Sequence, residues 1–184
     1  MPGRIWEQAF EVATDQYGFI TFDDIRRMGA DPARLRRWHH SDKIDRVGHG
    51  IYRFRQIPPT PLDSYALATL WPAGRGVLSH DTALELYELC DINPEKIHLT
   101  LPPGYRPRRK GGEQYVLHFS DLNESDLGWH EGIRIVAPLM AIKQAIDSAV
   151  PRYLLRQAIE TAGRLGLVLR KNLDILYKKL EGRS

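Results

Sequence analysis

The side chains with the clearest chemical potential are the arginines, lysines and histidines of residues 32–56. This stretch holds seven Lys and Arg residues against two Asp residues. A guanidinium group can bind phosphate oxygens or donate two parallel hydrogen bonds to guanine O6 and N7, so such a stretch is typical of nucleic-acid-binding surfaces. Many basic stretches are simply solvated surface, however, and the meaning of this one depends on the elements that carry it.

Residues 32–42 are predicted to form a helix, with Asp31 as its N-cap and Pro32 at its first position. When residues are placed at about 100° intervals around the axis, Leu35 and Trp38 share one side. The opposite side carries Ala33, Arg36, Arg37 and His40, with Arg34 and His39 flanking it. A helix with guanidinium groups and no acid on its outer side fits the DNA major groove. The alternative is a solvated helix with incidental arginines.

Two further helices are predicted before this basic helix. Apolar residues at helical spacing predict the first over residues 4–16. Thr21 and Asp24 form a capping box that begins the second, over residues 22–28. A turn that contains Gly29 joins the second helix to the basic helix, and two short helices connected in this way are typical of helix-turn-helix proteins.

A β-hairpin is predicted directly after the basic helix. Residues 43–47 and 51–54 alternate as strands do, and Gly48, His49 and Gly50 join them. A hairpin in this position is the wing of a winged helix-turn-helix. We therefore predict such a domain over residues 1–57, with its wing contacts at Arg46, His49 and Arg53.

The remainder of the chain is predicted to be a second domain, over residues 61–184, after a proline-rich linker. Alternating residues predict strands over 97–101, 115–119 and 133–136, and helical spacing predicts helices at the carboxy-terminal end. The fold class is therefore α+β: an N-terminal winged helix-turn-helix followed by a mixed α/β domain with a small sheet and a helical end.

A second basic segment lies between the first two predicted strands of this domain. Residues 104–112 hold four cations, bracketed by glycines, and these are Arg106, Arg108, Arg109 and Lys110. A mobile loop of this composition could run along phosphates. Equally, it could be a hairpin tip that charge keeps soluble, and the sequence does not separate the two.

No pattern of catalytic or metal-ligating residues is found. The chain has seven histidines but no H-E-x-x-H or G-x-S-x-G motif, and no Asp/Glu-x-Lys triplet of the kind that restriction-type nucleases need. His80 and Asp81 are expected to have a structural role at a helix start. The single cysteine, Cys90, is expected to be buried. We predict a non-enzyme without metal or cofactor, without a membrane segment, and located in the cytoplasm.

With these residues laid out, the chain resembles the AbiEi family, the antitoxins of type IV toxin–antitoxin systems that also regulate transcription. The stretches that carry the resemblance are residues 18–21, 47–53, 76–84, 97–102 and 135–138. The resemblance covers about residues 5–150. It implies repression of the protein's own operon through inverted repeats, and action against a nucleotidyltransferase-like toxin. Some relatives carry a fused nuclease, and the missing Asp/Glu-x-Lys triplet argues against that branch here. The carboxy-terminal portion is also short for the family, which leaves antitoxin activity open.

The sequence thus predicts a sequence-specific DNA-binding autorepressor, with double-stranded operator DNA as its partner. Residues predicted to enter the major groove are Ala33, Arg36, Arg37 and His40, and those on phosphates are Arg34 and Lys43. The wing residues and the four loop cations would add further contacts. Two alternatives remain: a protein-interaction module whose winged helix does not bind DNA, and a degenerate enzyme.

Overall fold

A computed structural model describes residues 3–183, and over that range helices alternate with the strands of two sheets. The amino-terminal elements are α1 (Arg4–Asp15), β1 (Phe19–Thr21), α2 (Phe22–Arg27), α3 (Ala33–His40), β2 (Ile44–Gly48), β3 (Ile51–Phe54) and α4 (Asp63–Leu70). The later elements are β4 (Val77–Leu78), α5 (His80–Leu86), β5 (Ile97–Leu101), β6 (Tyr115–Phe119), β7 (Leu127–His130), β8 (Ile133–Val136), α6 (Pro138–Ile146), α7 (Arg152–Arg164) and α8 (Arg170–Glu181).

The chain divides into two compact units. The amino-terminal unit comprises residues up to Gly74 together with Pro107–Gly112, and the carboxy-terminal unit comprises Arg75–Arg106 and the chain from Glu113 onward. Helix α4 and the short basic segment thus belong to the amino-terminal unit. The domain boundary predicted from the sequence, between residues 57 and 61, assigned both segments to the second domain. Their place in the first unit depends on contacts between residues far apart in the chain.

Local hydrogen bonds fix the short helices of the amino-terminal unit. Thr21 caps α2, since its side chain accepts from the Asp24 N–H while the Asp24 carboxylate accepts from the Thr21 N–H. This is the predicted capping box. Asp31 supports the start of α3, because its Oδ1 accepts from the Ala33 N–H at 2.8 Å.

The sheet of this unit has the strand order β1-β3-β2, and both pairings are antiparallel. An irregularity between Arg46 and Gly48 shifts the register of β2 and β3 near the hairpin turn, and Gly48 pairs with Ile51 beyond it. Alternation along the strands and helical spacing in α1 to α3 direct one set of apolar side chains inward. The core cluster that results is Ala9, Ala13, Ile20, Ile25, Leu35, Ile44, Tyr52 and Phe54. The order helix, strand, helix, helix, hairpin agrees with the sequence prediction.

The sheet of the carboxy-terminal unit has the order β6-β5-β4-β8-β7 and mixes the two kinds of pairing. Strands β5 and β6 pair in parallel, as do β4 and β8, whereas β4 with β5 and β7 with β8 are antiparallel. The three strands predicted from sequence are confirmed as β5, β6 and β8. Strand β4 has only two residues, which is too short for alternation to be recognised.

Helices cover part of this sheet and form the end of the chain. Helix α5 packs against β5 and α6, and α6 packs against α7 and α8. The apolar sides of α6 and α7 are buried, including Ile142, Leu155 and Ile159 at 0% exposure. The helical end that the sequence predicted is therefore present, and its apolar stripes point into the core.

None of the helices within residues 3–183 combines the length and the apolar character that crossing a membrane requires.

Candidate nucleic-acid interface

Helix α3 is held by its apolar side. Leu35 is fully buried in the core cluster, and the Trp38 ring meets the edge of Trp6 at a centroid distance of 4.9 Å. These contacts fix the rotation of the helix about its axis. The opposite side is consequently turned away from the core, as the sequence predicted.

The outward side of α3 is accessible to solvent. Arg36, Arg37 and His40 are exposed, while Ala33 and Arg34 are half-buried. Within residues 3–183, no intramolecular hydrogen bond or ion pair engages the guanidinium groups of Arg34, Arg36 and Arg37. The donors of these groups are therefore available to a ligand. Burial of this side beneath the rest of the module would have ended the DNA-binding hypothesis.

The end of α3 is anchored to the hairpin. The His39 ring pairs through Nδ1 with the Ile44 carbonyl oxygen at 3.0 Å, which closes the connection between α3 and β2. Lys43 is exposed, and its Nζ lies 5.5 Å from the centre of the Trp6 ring. His39 thus acts within the module, whereas Lys43 keeps its charge at the surface.

Arg55 was not singled out by the sequence analysis, and it pairs with both acids of this face. Its guanidinium donates to the Asp45 carboxylate at 2.6 Å and to the Asp42 carboxylate at 3.3 Å. The hydrogen bonds from Arg55 hold the pKa of Asp45 below its ordinary value. These are the two acids of residues 32–56, and both are paired with one arginine. The alternation of the hairpin could have indicated this pairing, since Arg55 directly follows the strand that faces Asp45.

The hairpin turn presents two of the predicted wing residues. Arg46 and His49 are exposed, and Arg46 donates from Nε to the Gly48 carbonyl oxygen at 3.3 Å. Gly50 has φ +70°, and a Cβ there would lie 3.0 Å from the Phe22 ring. The turn therefore packs closely on the start of α2 and has a defined position.

Arg53, the third predicted wing residue, is placed differently. Its Nη2 donates to the Asp63 carboxylate at 3.0 Å, and the two side chains are only 18% and 19% exposed. Its guanidinium also lies against Gly18 and above the Phe19 ring. Two of its donors, to Asp63 and to the Phe54 carbonyl oxygen, are therefore engaged inside the amino-terminal unit, and the side chain is largely buried.

The basic segment Pro107–Gly112 lies beside the hairpin turn within the amino-terminal unit. Arg109 donates to the carbonyl oxygens of His49 and Trp71, both at 3.2 Å. The Trp71 indole donates in turn to the Lys110 carbonyl oxygen at 2.9 Å. Arg108 and Lys110 are exposed, so two cations of the segment remain at the surface next to His49. Sequence reasoning left this segment undecided because its anchor, Trp71, is more than thirty residues away.

Arg106 belongs to the carboxy-terminal unit. Its Nη1 donates to the carbonyl oxygens of Pro103 and Tyr105, and its guanidinium lies 3.7 Å from the centre of the Phe119 ring. These contacts engage the side chain locally, although it remains exposed.

Three histidines of the carboxy-terminal unit form the group that could hold a metal ion in the part of the chain that the structure describes. One nitrogen from each of His80, His98 and His118 lies within 4.8 Å of the others. Burial lowers the pKa of His80 to about 3 and that of His118 to about 4, and it also lowers the pKa of His98. The rings are therefore neutral at pH 7, and each has one nitrogen whose lone pair can bind a metal ion.

The fold and this interface define a mixed protein of helices and two sheets, with an exposed basic helix beside a β-hairpin. Residues 7–55 match the family model described as "Transcriptional regulator, AbiEi antitoxin". The family resemblance found in the sequence is thereby confirmed for the segment that runs from α1 to the end of the hairpin.

A solved structure extends the likeness in fold. The crystal structure of the RV2827C protein from Mycobacterium tuberculosis matches with a TM-score of 0.51 and 16% sequence identity, over 100% of this chain and 73% of that chain. At such an identity the match shows a shared fold alone. A comparison with curated proteins found no match.

Proposed function

We propose that the protein is a sequence-specific DNA-binding repressor of its own operon, and that its amino-terminal module works as a winged helix-turn-helix. The observation that carries the proposal is the outward side of α3. It presents Arg36, Arg37 and His40, which form no ion pair with any residue in the range 3–183, on a helix whose rotation Leu35 and Trp38 fix. The family match over residues 7–55 supports this function.

In this proposal α3 enters the major groove. Ala33 allows close approach, while Arg36, Arg37 and His40 contact base edges. Arg34 and Lys43 at the margins of the helix contact phosphates, which set the register on the duplex. Arg55 pairs with Asp42 and Asp45 and offsets one of their two negative charges, and the other cations of residues 32–56 give the face a net positive field.

The hairpin and the basic segment add contacts to the DNA backbone. Arg46 and His49 reach a neighbouring groove or its phosphates, and Arg108 and Lys110 extend the same cationic surface from beside the hairpin turn. Arg53 and Arg109 position these groups through their bonds within the unit. Arg106 contributes a non-specific contact from the carboxy-terminal unit.

We further propose that the protein is the antitoxin of a type IV toxin–antitoxin system whose toxin is nucleotidyltransferase-like. The family description supports this assignment. Co-expression with the product of a neighbouring nucleotidyltransferase-like gene tests it. We expect growth arrest by the toxin alone and recovery with the protein present. Arrest that persists at equal toxin levels would contradict the antitoxin role while leaving repression intact.

The DNA-binding proposal is tested by titrating the upstream region of the operon and a random duplex of equal length, each at two salt concentrations. We expect binding to the operator to be at least 10³-fold tighter, as for specific regulators, and both affinities to fall with salt. Equal affinities for the two duplexes, or no binding at low salt, would favour a protein-interaction module instead.

A further inference from the structure

Three elements of the carboxy-terminal unit each bring one histidine to the same place. His80 begins α5, separated from the end of β4 by one residue, whereas His98 lies in β5 and His118 in β6. In the parallel register of β5 and β6, Thr100 is opposite His118. Since residues two apart share a face of a strand, His98 and His118 are diagonal neighbours on one face. His118 Nε2 and His98 Nδ1 are 3.1 Å apart.

This geometry is close to that of a metal site. Around a tetrahedral ion with metal–nitrogen bonds of about 2.05 Å, ligand nitrogens lie about 3.3 Å apart. The pair formed by His98 and His118 already has nearly this separation, and an ion can replace the proton that the two rings share. The third nitrogen belongs to the His80 ring, which stacks on the His118 ring with centroids 3.4 Å apart, and it lies within 4.8 Å of the others.

A network of polar side chains hydrogen-bonds to His80, as the residues behind a metal ligand commonly do. Its Nδ1 pairs with Ser79 Oγ at 3.0 Å, and Ser79 Oγ accepts from Thr100 Oγ1 at 2.9 Å. Gln144 donates to Thr100 and accepts from the His80 N–H, both at 3.3 Å. When His80 Nδ1 donates to Ser79, its Nε2 lone pair is free for an ion. Such partners fix ring orientation and tautomer in metal sites.

Two further observations point to the same place. His80 has φ +51°, a conformation that is uncommon for a residue other than glycine and that tends to cluster at functional sites. Asp81 Oδ1 is buried and has no hydrogen-bond partner within residues 3–183, and the carboxylate charge acts on His98. An unpartnered buried carboxylate oxygen is costly, and a nearby cation would compensate its charge.

We propose that His80, His98 and His118 bind one divalent transition-metal ion of the zinc class, with a fourth position open to water. Three imidazoles without thiolates suit zinc and its neighbours in the first transition row. The ion ties the start of α5 to β5 and β6. This site is independent of the DNA-binding surface, which is built from other residues.

The test uses the full chain, freed of metal by a chelator that is then removed. Titration with Zn²⁺ in a calorimeter is expected to give one ion per chain. At a zinc concentration about 100 times Kd, the unfolding temperature is expected to rise by on the order of 5 °C. Co²⁺ in place of zinc is expected to give the visible absorption of a tetrahedral site. Absence of stoichiometric binding by the wild-type chain would overturn the proposal.

Variants locate the ion. His98→Gln and His118→Gln keep a polar side chain of similar reach, and His80→Asn suits the positive φ better than most residues. Each is expected to weaken zinc binding by more than the roughly 10–100-fold that loss of an outer-shell partner costs. His130→Gln, in the same unit but outside the cluster, and His40→Gln on α3 are controls that keep full affinity. Unchanged affinity in the three cluster variants would refute the assignment.

A measurement on the unaltered chain covers the case in which a variant fails to fold. Nitrogen resonances of the histidine rings report metal binding at each residue. Zinc is expected to move the signals of His80, His98 and His118 and to leave those of His40 and His130 in place. Shifts confined to His39 and His40 would show that the ion binds elsewhere and would contradict the proposal.

Discussion

Helix α3 uses different side chains for packing and for its exposed basic surface, which includes Arg36 and Arg37. Leu35, between Arg34 and Arg36 in the sequence, is fully buried, and the arginine side chains project to solvent without ion pairs among the described residues. A desolvated guanidinium that donates two bonds to guanine discriminates between bases, whereas one that binds phosphate does not.

Arg36→Ala is expected to weaken operator binding by about 1–3 kcal/mol and to relax the preference for the operator over a random duplex. The reason is the loss of base-edge donors while the fold is kept. Fluorescence anisotropy with both duplexes measures the effect, and Arg164→Ala, an exposed change in α7, is the matched control. Equal losses on the two duplexes would show that Arg36 binds phosphate.

Arg53 is expected to matter for stability instead. Arg53→Met leaves the Asp63 carboxylate, 19% exposed, without its guanidinium partner, and should lower the free energy of unfolding by about 1–3 kcal/mol. Chemical denaturation measures this. Arg26→Met removes an ion pair whose arginine is 62% exposed, and its effect should stay within about 0.5 kcal/mol. A folded Arg53→Met protein that lost operator preference without losing stability would instead support a direct wing contact.

At the scale of elements, the hairpin and the segment Pro107–Gly112 form one cationic surface. Arg109 and Trp71 hold the segment, and they leave Arg108 and Lys110 exposed beside the turn. The groups that anchor the surface thus differ from the groups that we propose to contact DNA.

The double change Arg108→Ala with Lys110→Ala is expected to lower affinity for operator and random duplex equally. It should also flatten the slope of log K against log salt by about 1.8, because each phosphate contact contributes about 0.9. Titrations at three or more salt concentrations provide the slopes. Glu113→Gln, a neighbouring change that removes no cation, is the control and should leave the slope unaltered. An unchanged slope in the double variant would remove the segment from the interface.

Elements that depend on contacts between residues near in the chain were largely predicted from the sequence. The capping box at Thr21 and Asp24 and the amphipathic pattern of α3 each lie within a few residues, and both are confirmed. The two residues of β4 and the edge strand β7 were not found, because neither alternates over enough residues to be distinguished from a loop.

At the scale of the whole molecule, the lone cysteine reports on the integrity of the carboxy-terminal unit. Cys90 is 9% exposed, and burial together with the charges of Asp91 and Asp81 raises its pKa to about 11. The thiolate, which is the reactive form, is thereby reduced to about one in a thousand thiols at pH 8.

A disulfide reagent is therefore expected to label Cys90 roughly 100-fold more slowly in the native protein than in denaturant at pH 8. The rate should increase only under conditions that open the unit, so labelling follows its unfolding. The chain contains one cysteine, so each labelled molecule reports this position. Equal rates in native and denatured protein would show that the thiol is accessible without unfolding.

The sequence by itself determined the basic helix, its apolar anchor, the capping box and the hairpin, since the forces that form them act between residues near in the chain. Only the tertiary structure decided that Arg53 is engaged by Asp63 and that His80, His98 and His118 converge. These outcomes depend on strand register and on packing between distant segments. A periodic pattern of side chains carries no information about which distant segment will be its neighbour.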